Sequence, residues 1–173
     1  MPKNIVVGKN VRFDSSHLFK KFFSILPVGL QVGDNVTLYM SSLATEKEGY
    51  IEIGNYSYLS NATIVCHTKV IIGQYVFIAG GATIVDSDFH PIDAANRLID
   101  TVAISTIGYK SKRPTFGSSP VIIEDDVWIG YNATILKGVT IGKGSIIQPG
   151  ALVSKSVPSG SIVSGNPAEF QLY

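Results

Sequence analysis

Between Ile123 and Val153 an isoleucine or valine recurs at every sixth residue: Ile123, Ile129, Ile135, Ile141, Ile147 and Val153. Four residues after each comes a small or β-branched side chain, in order Val127, Ala133, Val139, Ser145, Ala151 and Val157. A period of six belongs neither to the α-helix, at about 3.6, nor to a plain strand, at about 2. It fits one short strand plus one turn, with three such units closing a flat-sided coil whose aliphatic residues point inward and stack on the next coil. Gly and Asn occupy the turns, as in Gly130-Tyr-Asn132 and Gly142-Lys-Gly144, where positive φ or close backbone approach is needed. The pattern predicts an all-β chain wound as a parallel β-helix, which buries nothing in one repeat and a continuous core in many. A β-sandwich fits less well, because strands of period two do not hold a phase of six.

Bulk properties set the remaining bounds. With 173 residues, 45% of them hydrophobic, the chain has material for a single domain, 1–173, with a long core. A formal charge of +1 recommends neither nucleic acid nor an anionic membrane surface. The one cysteine, Cys66, excludes an intramolecular disulfide and fits a reducing compartment. The N-terminal Met-Pro-Lys-Asn-Ile is not an apolar leader, and no stretch reaches transmembrane length, so a cytoplasmic protein without stable membrane insertion is expected.

Along the chain the phase begins at Val7-Gly-Lys-Asn-Val11 and breaks over residues 13–29, where Phe13, Phe19, Phe22 and Phe23 surround Lys20 and Lys21. A short helix capped by Asp14 or Ser15 is expected there, its aromatics covering the open end of the solenoid. A helix lying on a membrane interface is the competing reading. The phase resumes at Val32, Val36 and Leu38, lapses, and locks in at Ile53, Leu59 and Val65. After one extra residue it continues at Ile72, Ile78 and Ile84, and the next place in phase is His90. Residues 91–120, punctuated by Pro91, Pro114 and Pro120, read as a long loop projecting from a corner as an arm or lid. At the other end Phe170, Leu172 and Tyr173 are expected to close the core.

Three places could carry chemistry. In Asp86-Ser-Asp88-Phe-His90-Pro91 an extended backbone puts Asp86, Asp88 and His90 on one face, and a carboxylate beside an imidazole fixes its tautomer for general-base work. The same three side chains make a poor metal site, lacking a clear fourth ligand; a structural corner histidine is the bland alternative. Cys66 and His67 are adjacent, point to opposite faces and are read as structural; His17 is read as solvated. Trp128, just before Ile129, faces outward and marks either a binding surface or a patch covered by the loop. Lys110, Lys112 and Arg113 form the one local basic cluster, a solvated run or a phosphate contact.

These residues resemble the hexapeptide-repeat acyltransferases, in particular the maltose, galactoside and polysaccharide O-acetyltransferases. The resemblance covers about residues 51–168 and rests on the repeats, on Asp86-Ser-Asp-Phe-His-Pro91, on Ile123-Glu-Asp-Asp-Val-Trp-Ile-Gly130, on Ile135-Leu-Lys-Gly-Val-Thr-Ile-Gly142 and on Gly165-Asn-Pro-Ala168. It implies a left-handed β-helix, against the usual right-handed crossover, and a homotrimer in which acetyl-CoA and a carbohydrate acceptor meet between subunits. The family's catalytic histidine falls on His90, oriented by Asp88 or Asp86; Asn61 and Trp128 fall on the acceptor side. Coenzyme A contacts fall near Gly130, Tyr131, Pro149, Ser154 and Lys155. The chain departs from the family in having Pro149 where an alanine is common and no basic residue in Phe170-Gln-Leu-Tyr173, which makes Lys110, Lys112 and Arg113 candidate substitutes. The resemblance implies acetyl transfer to a sugar hydroxyl without a metal. Transfer to the amine of an amino-sugar nucleotide or of a small-molecule acceptor is the alternative. A non-catalytic scaffold, or a metal enzyme on the same architecture, lies further off.

Overall fold

The computed structural model describes residues 1–14 and 17–172. Three parallel sheets form the faces of a triangular solenoid. The first face stacks Ile5–Val7, Leu30–Val32, Tyr50–Ile53, Lys69–Ile72, Val121–Ile123 and Thr140–Ile141. The second stacks Arg12–Asp14, Thr37–Tyr39, Tyr58–Ser60, Phe77–Ile78, Trp128–Ile129, Ile146–Ile147 and Ser161–Gly165, and ends in the antiparallel Ala168–Leu172. The third stacks Ser42–Thr45, Thr63–Cys66, Thr83–Val85, Thr134–Ile135 and Leu152–Val153. This is a β-solenoid of about 7 turns, consistent with a left-handed β-helix.

The six-residue ladder divides among the faces as its period requires. Ile123 pairs with Ile141 on the first face, Ile129 with Ile147 on the second and Ile135 with Val153 on the third. These residues and their partners Val127, Ala133, Val139, Ser145, Ala151 and Val157 are all buried. Each buried aliphatic removes about 1.5–3 kcal/mol of unfavourable exposure, and only stacking makes the burial possible. The earlier coils keep the columns but shorten one corner. Ile64, not Val65, sits above Ile84, and Ala62 is the small buried partner. The corner after Leu59 has one residue fewer than the corner after Ile78, so the predicted phase slips there by one.

Both ends differ from expectation in detail. No helix occurs among the described residues of 13–29; Ser15 as its cap, and Leu172 and Tyr173 as end covers, fall on residues or side chains outside the description. The segment instead lies along the third face. Leu43 N–H donates to Leu18 O at 2.9 Å, Thr45 N–H to Lys21 O at 3.0 Å and Phe23 N–H to Thr45 O at 3.1 Å. With its backbone groups satisfied by the neighbouring strand, the segment has no need of helical bonds. Leu18 is buried, and Phe13, Phe19 and Phe22 pack against the core in edge-to-face pairs, so the aromatics do cover apolar surface there. At the far end Phe170 is exposed rather than inserted.

The excursion between Ile84 and Val121 is not a structureless arm. It carries a helix, α1 (Ala94–Ile104), and a 3-10 turn, Lys110–Lys112. Asp93 caps α1 by accepting from Asn96 N–H at 2.8 Å, satisfying an otherwise orphaned first-turn donor. At the base, Asp88 N–H donates to Gly117 O at 2.9 Å and Ser119 N–H to Asp86 O at 2.8 Å. The chain then rejoins the first face with Val121 paired to Val70, so the stack is unbroken. His90 is therefore not a rung of the ladder; it stands outside the coil, at the start of the excursion.

Candidate active site

The corner joining the third face to the first carries the densest polar network. His90 Nδ1 lies 2.6 Å from Asp100 Oδ2. The His90 side chain is 51% exposed and that of Asp100 fully buried. Asp100 comes from the buried side of α1, which carries it over the corner. Arg113, just beyond the 3-10 turn, donates from Nε to Asp100 Oδ1 at 2.6 Å and from Nη2 to Oδ2 at 3.2 Å. The same Nη2 donates to Phe89 O at 2.7 Å. The guanidinium holds the Asp100 carboxyl below the usual carboxylate range, with His90 adding to the effect, against the opposing pull of burial. Asp100 in turn raises the guanidinium.

An ionised carboxylate can only accept, so the short contact assigns the ring proton to Nδ1. Nε2 is left with its lone pair on the exposed side of a ring whose orientation is fixed. That is the arrangement a general base requires.

Neither carboxylate expected to orient His90 does so. Asp86 is buried and turned inward, accepting from His67 N–H at 2.6 Å, Thr68 N–H at 2.7 Å and Lys69 N–H at 2.8 Å. Four residues before the histidine, it serves the corner of the preceding coil, because the strand ends at Val85 and the alternation does not extend to His90. Asp88 pairs with Lys137 Nζ at 2.6 Å. Asp100 lies in the segment whose proline punctuation predicts a loop, and it is a helical residue. The signal was present in Asp93 before Ala94-Ala95, a helix start, which places Asp100 two turns in.

Around the dyad, Phe116 packs between His67, at 4.6 Å between ring centroids, and the Arg113 guanidinium, at 5.2 Å. His67 Nδ1 and Ser87 Oγ are buried without a hydrogen-bond partner among the described residues. Cys66 is buried beside Asp86, and burial followed by that charge pushes its thiol far above the ordinary range, so it is no nucleophile. Among the described residues no group of three or more His, Cys, Asp or Glu could hold a metal ion, and no helix is long and apolar enough to cross a membrane.

The other predicted residues lie apart from the dyad. Asn61, Tyr131 and Pro149 lie on the corner between the second and third faces, where Gly81 N–H donates to Asn61 O at 2.9 Å and Gly150 N–H to Tyr131 O at 2.8 Å. Gly130 has no room for a side chain, since a Cβ would lie 2.7 Å from Pro149 N. Trp128 stands 47% exposed on the second face beside Phe77, opposite the corner that bears His90. Ser154 and Lys155 are exposed where the third face ends, on the His90 side. Lys110 and Lys112 are exposed in the 3-10 turn, with Lys112 over the Tyr109 ring at 5.4 Å. Arg113, expected with them as a phosphate contact, is committed to Asp100.

Known proteins agree with this architecture. Residues 120–155 match the family model described as Bacterial transferase hexapeptide (six repeats). Over 52 residues the chain is 60% identical to the 2,3,4,5-tetrahydropyridine-2,6-dicarboxylate N-acetyltransferase of Staphylococcus aureus (strain JH9). That segment is 30% of this chain and 22% of the relative, so the match spans about a fifth of the relative's length. A galactoside acetyltransferase solved in complex with coenzyme A superposes with a TM-score of 0.62 at 24% identity, over 96% of this chain and 63% of that one. A mutant of AntD, an N-acyltransferase from Bacillus cereus solved with dTDP and coenzyme A, gives a TM-score of 0.68 at 21% identity, over 96% and 82% of the two chains. At these identities the two structures establish a common fold.

Proposed function

We propose that this hexapeptide-repeat protein, similar in fold to coenzyme A-dependent acetyltransferases, transfers an acetyl group from acetyl-CoA to a hydroxyl of a sugar or surface-glycan precursor. The observation that carries the reading is the dyad: a half-exposed His90 held through Nδ1 by a buried, ionised Asp100. His90 Nε2 takes the acceptor hydroxyl proton as the oxygen attacks the thioester carbonyl. The tetrahedral oxyanion collapses, expels the coenzyme A thiolate and acetylates the acceptor, and the imidazolium returns its proton to the thiolate. No acyl-enzyme forms, which suits a chain whose one cysteine is buried. Orientation in a groove supplies a large share of the acceleration.

A groove that includes both His90 and the Trp128–Asn61 surface requires more than one copy of the chain, because the two lie on opposite sides of one solenoid. A homotrimer with sites between subunits satisfies this. Gly130, Tyr131, Pro149, Ser154 and Lys155 then border the coenzyme A side, Asn61 and Trp128 the acceptor side. The test is thiol release from acetyl-CoA across a panel of sugar acceptors, with His90→Ala as control. Full activity in a folded His90→Ala protein overturns the reading.

The second reading is transfer to an amine, in an amino-sugar nucleotide or a small metabolite. The 60% identical segment in an N-acetyltransferase favours it. Matched hydroxyl and amino acceptors in the same assay separate the two, since the base chemistry is common to both.

A further inference from the structure

Arg113 touches two groups that bear on His90. Its guanidinium forks onto both oxygens of Asp100, at 2.6 and 3.2 Å. It also donates to the carbonyl of Phe89, the residue immediately before His90, at 2.7 Å. Its Nη1 lies 3.9 Å from Glu46 Oε1, on the same corner two coils earlier. The side chain is only 20% exposed and is packed on Phe116.

Phe89 itself is in a conformation that a bulky side chain avoids. Its φ is 60°, in the left-handed region, at a cost of roughly 1–2 kcal/mol. Such a residue persists only where its surroundings over-determine it. Here the surroundings include the Arg113 bond to its carbonyl and a tilted contact of its ring with Phe116, 6.5 Å between centroids. The strained residue sets the direction in which the next side chain, His90, leaves the backbone.

We propose that Arg113 is a positioning residue for His90: one guanidinium fixes Asp100 against Nδ1 and fixes the Phe89 carbonyl, so that carboxylate and backbone on either side of the imidazole are held as one rigid unit. A lysine cannot do this, because an ammonium is a point charge without a planar fork. The carboxylate arrives on a helix that the solenoid does not build, and Arg113 bonds both to that helix, at Asp100, and to the backbone before His90, at Phe89 O. The inference rests on the reading of His90 as the base, and it replaces the expectation that Arg113 meets a coenzyme A phosphate.

The test compares Arg113→Lys and Arg113→Gln with wild type in two independent measurements. Imidazole NMR without acceptor, assigned with His90→Asn, reads the Nδ1–H proton bonded to Asp100. The wild type is expected to show a single downfield signal with Nε2 unprotonated, and both variants are expected to lose or broaden it. Steady-state thiol release reads function: kcat is expected to fall at least about tenfold in both variants while KM for acetyl-CoA stays within about twofold. A raised KM with unchanged kcat makes Arg113 a coenzyme A contact and overturns the proposal, as does an unchanged Nδ1–H signal in both variants. If Arg113→Gln fails to fold, Arg113→Lys decides alone. Should the wild type transfer no acetyl group at all, the functional reading fails, while the NMR comparison still judges the positioning.

Discussion

His90 and Asp100 are ten residues apart in sequence and 2.6 Å apart in space, and the turn of chain between them is what brings the carboxylate back. The cap at Asp93 starts α1, and two helical turns return Asp100 to the corner from which His90 departs. The pairing is one-sided by construction: a buried anion behind the ring, solvent in front. That setting suits the proton-acceptor role proposed for His90 Nε2.

Replacing His90 with alanine should lower kcat about 100- to 10,000-fold, the range for losing a positioned base. The side chain is half-exposed, so the thermal midpoint should barely move. Circular dichroism and thiol release on one preparation check both halves.

Asp100→Asn should lower kcat at least about tenfold and should also change the response to acid. The folded carboxyl titrates below its unfolded value near ~3.9, so its ion pair contributes stability above that pH and loses it as pH falls through the folded value. The thermal midpoint of wild type should therefore fall more steeply below about pH 4 than that of Asp100→Asn. Parallel curves would remove Asp100 from the linkage.

Cys66 should be chemically silent. Its thiol is buried and shifted upward by burial and by Asp86, so a thiol reagent should label it only in denaturant. Cys66→Ala should retain turnover within about twofold; a large loss would reopen the nucleophile question.

If the site is shared between copies, two inactive variants should complement. His90→Ala and Trp128→Ala, co-refolded as a mixture, are expected to recover part of the activity that each lacks alone. A mixture no more active than its components argues for a site within one chain.

Ile123 and Ile122 are neighbours with opposite fates, one fully buried and the other 37% exposed. Ile123→Ala should cost about 2–5 kcal/mol. Ile122→Ala should cost about 0.5 kcal/mol or less unless that face is covered by another copy. Urea midpoints of the two variants measure the difference directly.

The period of six, by itself, determined the solenoid: which isoleucines point inward, which small residues sit beneath them and where glycines turn the corners. Those are local requirements repeated at a fixed spacing, so they are written in order along the chain. The same reading selected His90 as the exceptional residue and Cys66 as inert. It misplaced Val65 by one because corner length varies, and one residue more or less leaves no mark on composition. It also assigned the wrong carboxylates to His90, since Asp86 and Asp88 are near in sequence and look eligible. Only the tertiary structure decided that Asp86 turns inward to three backbone N–H groups, that Asp88 belongs to Lys137 and that Asp100 is the partner of His90. The reason is physical. Which carboxylate reaches an imidazole depends on where a helix lies against a corner, here with Arg113 bridging Asp100 to Phe89, and closeness along the chain does not decide that.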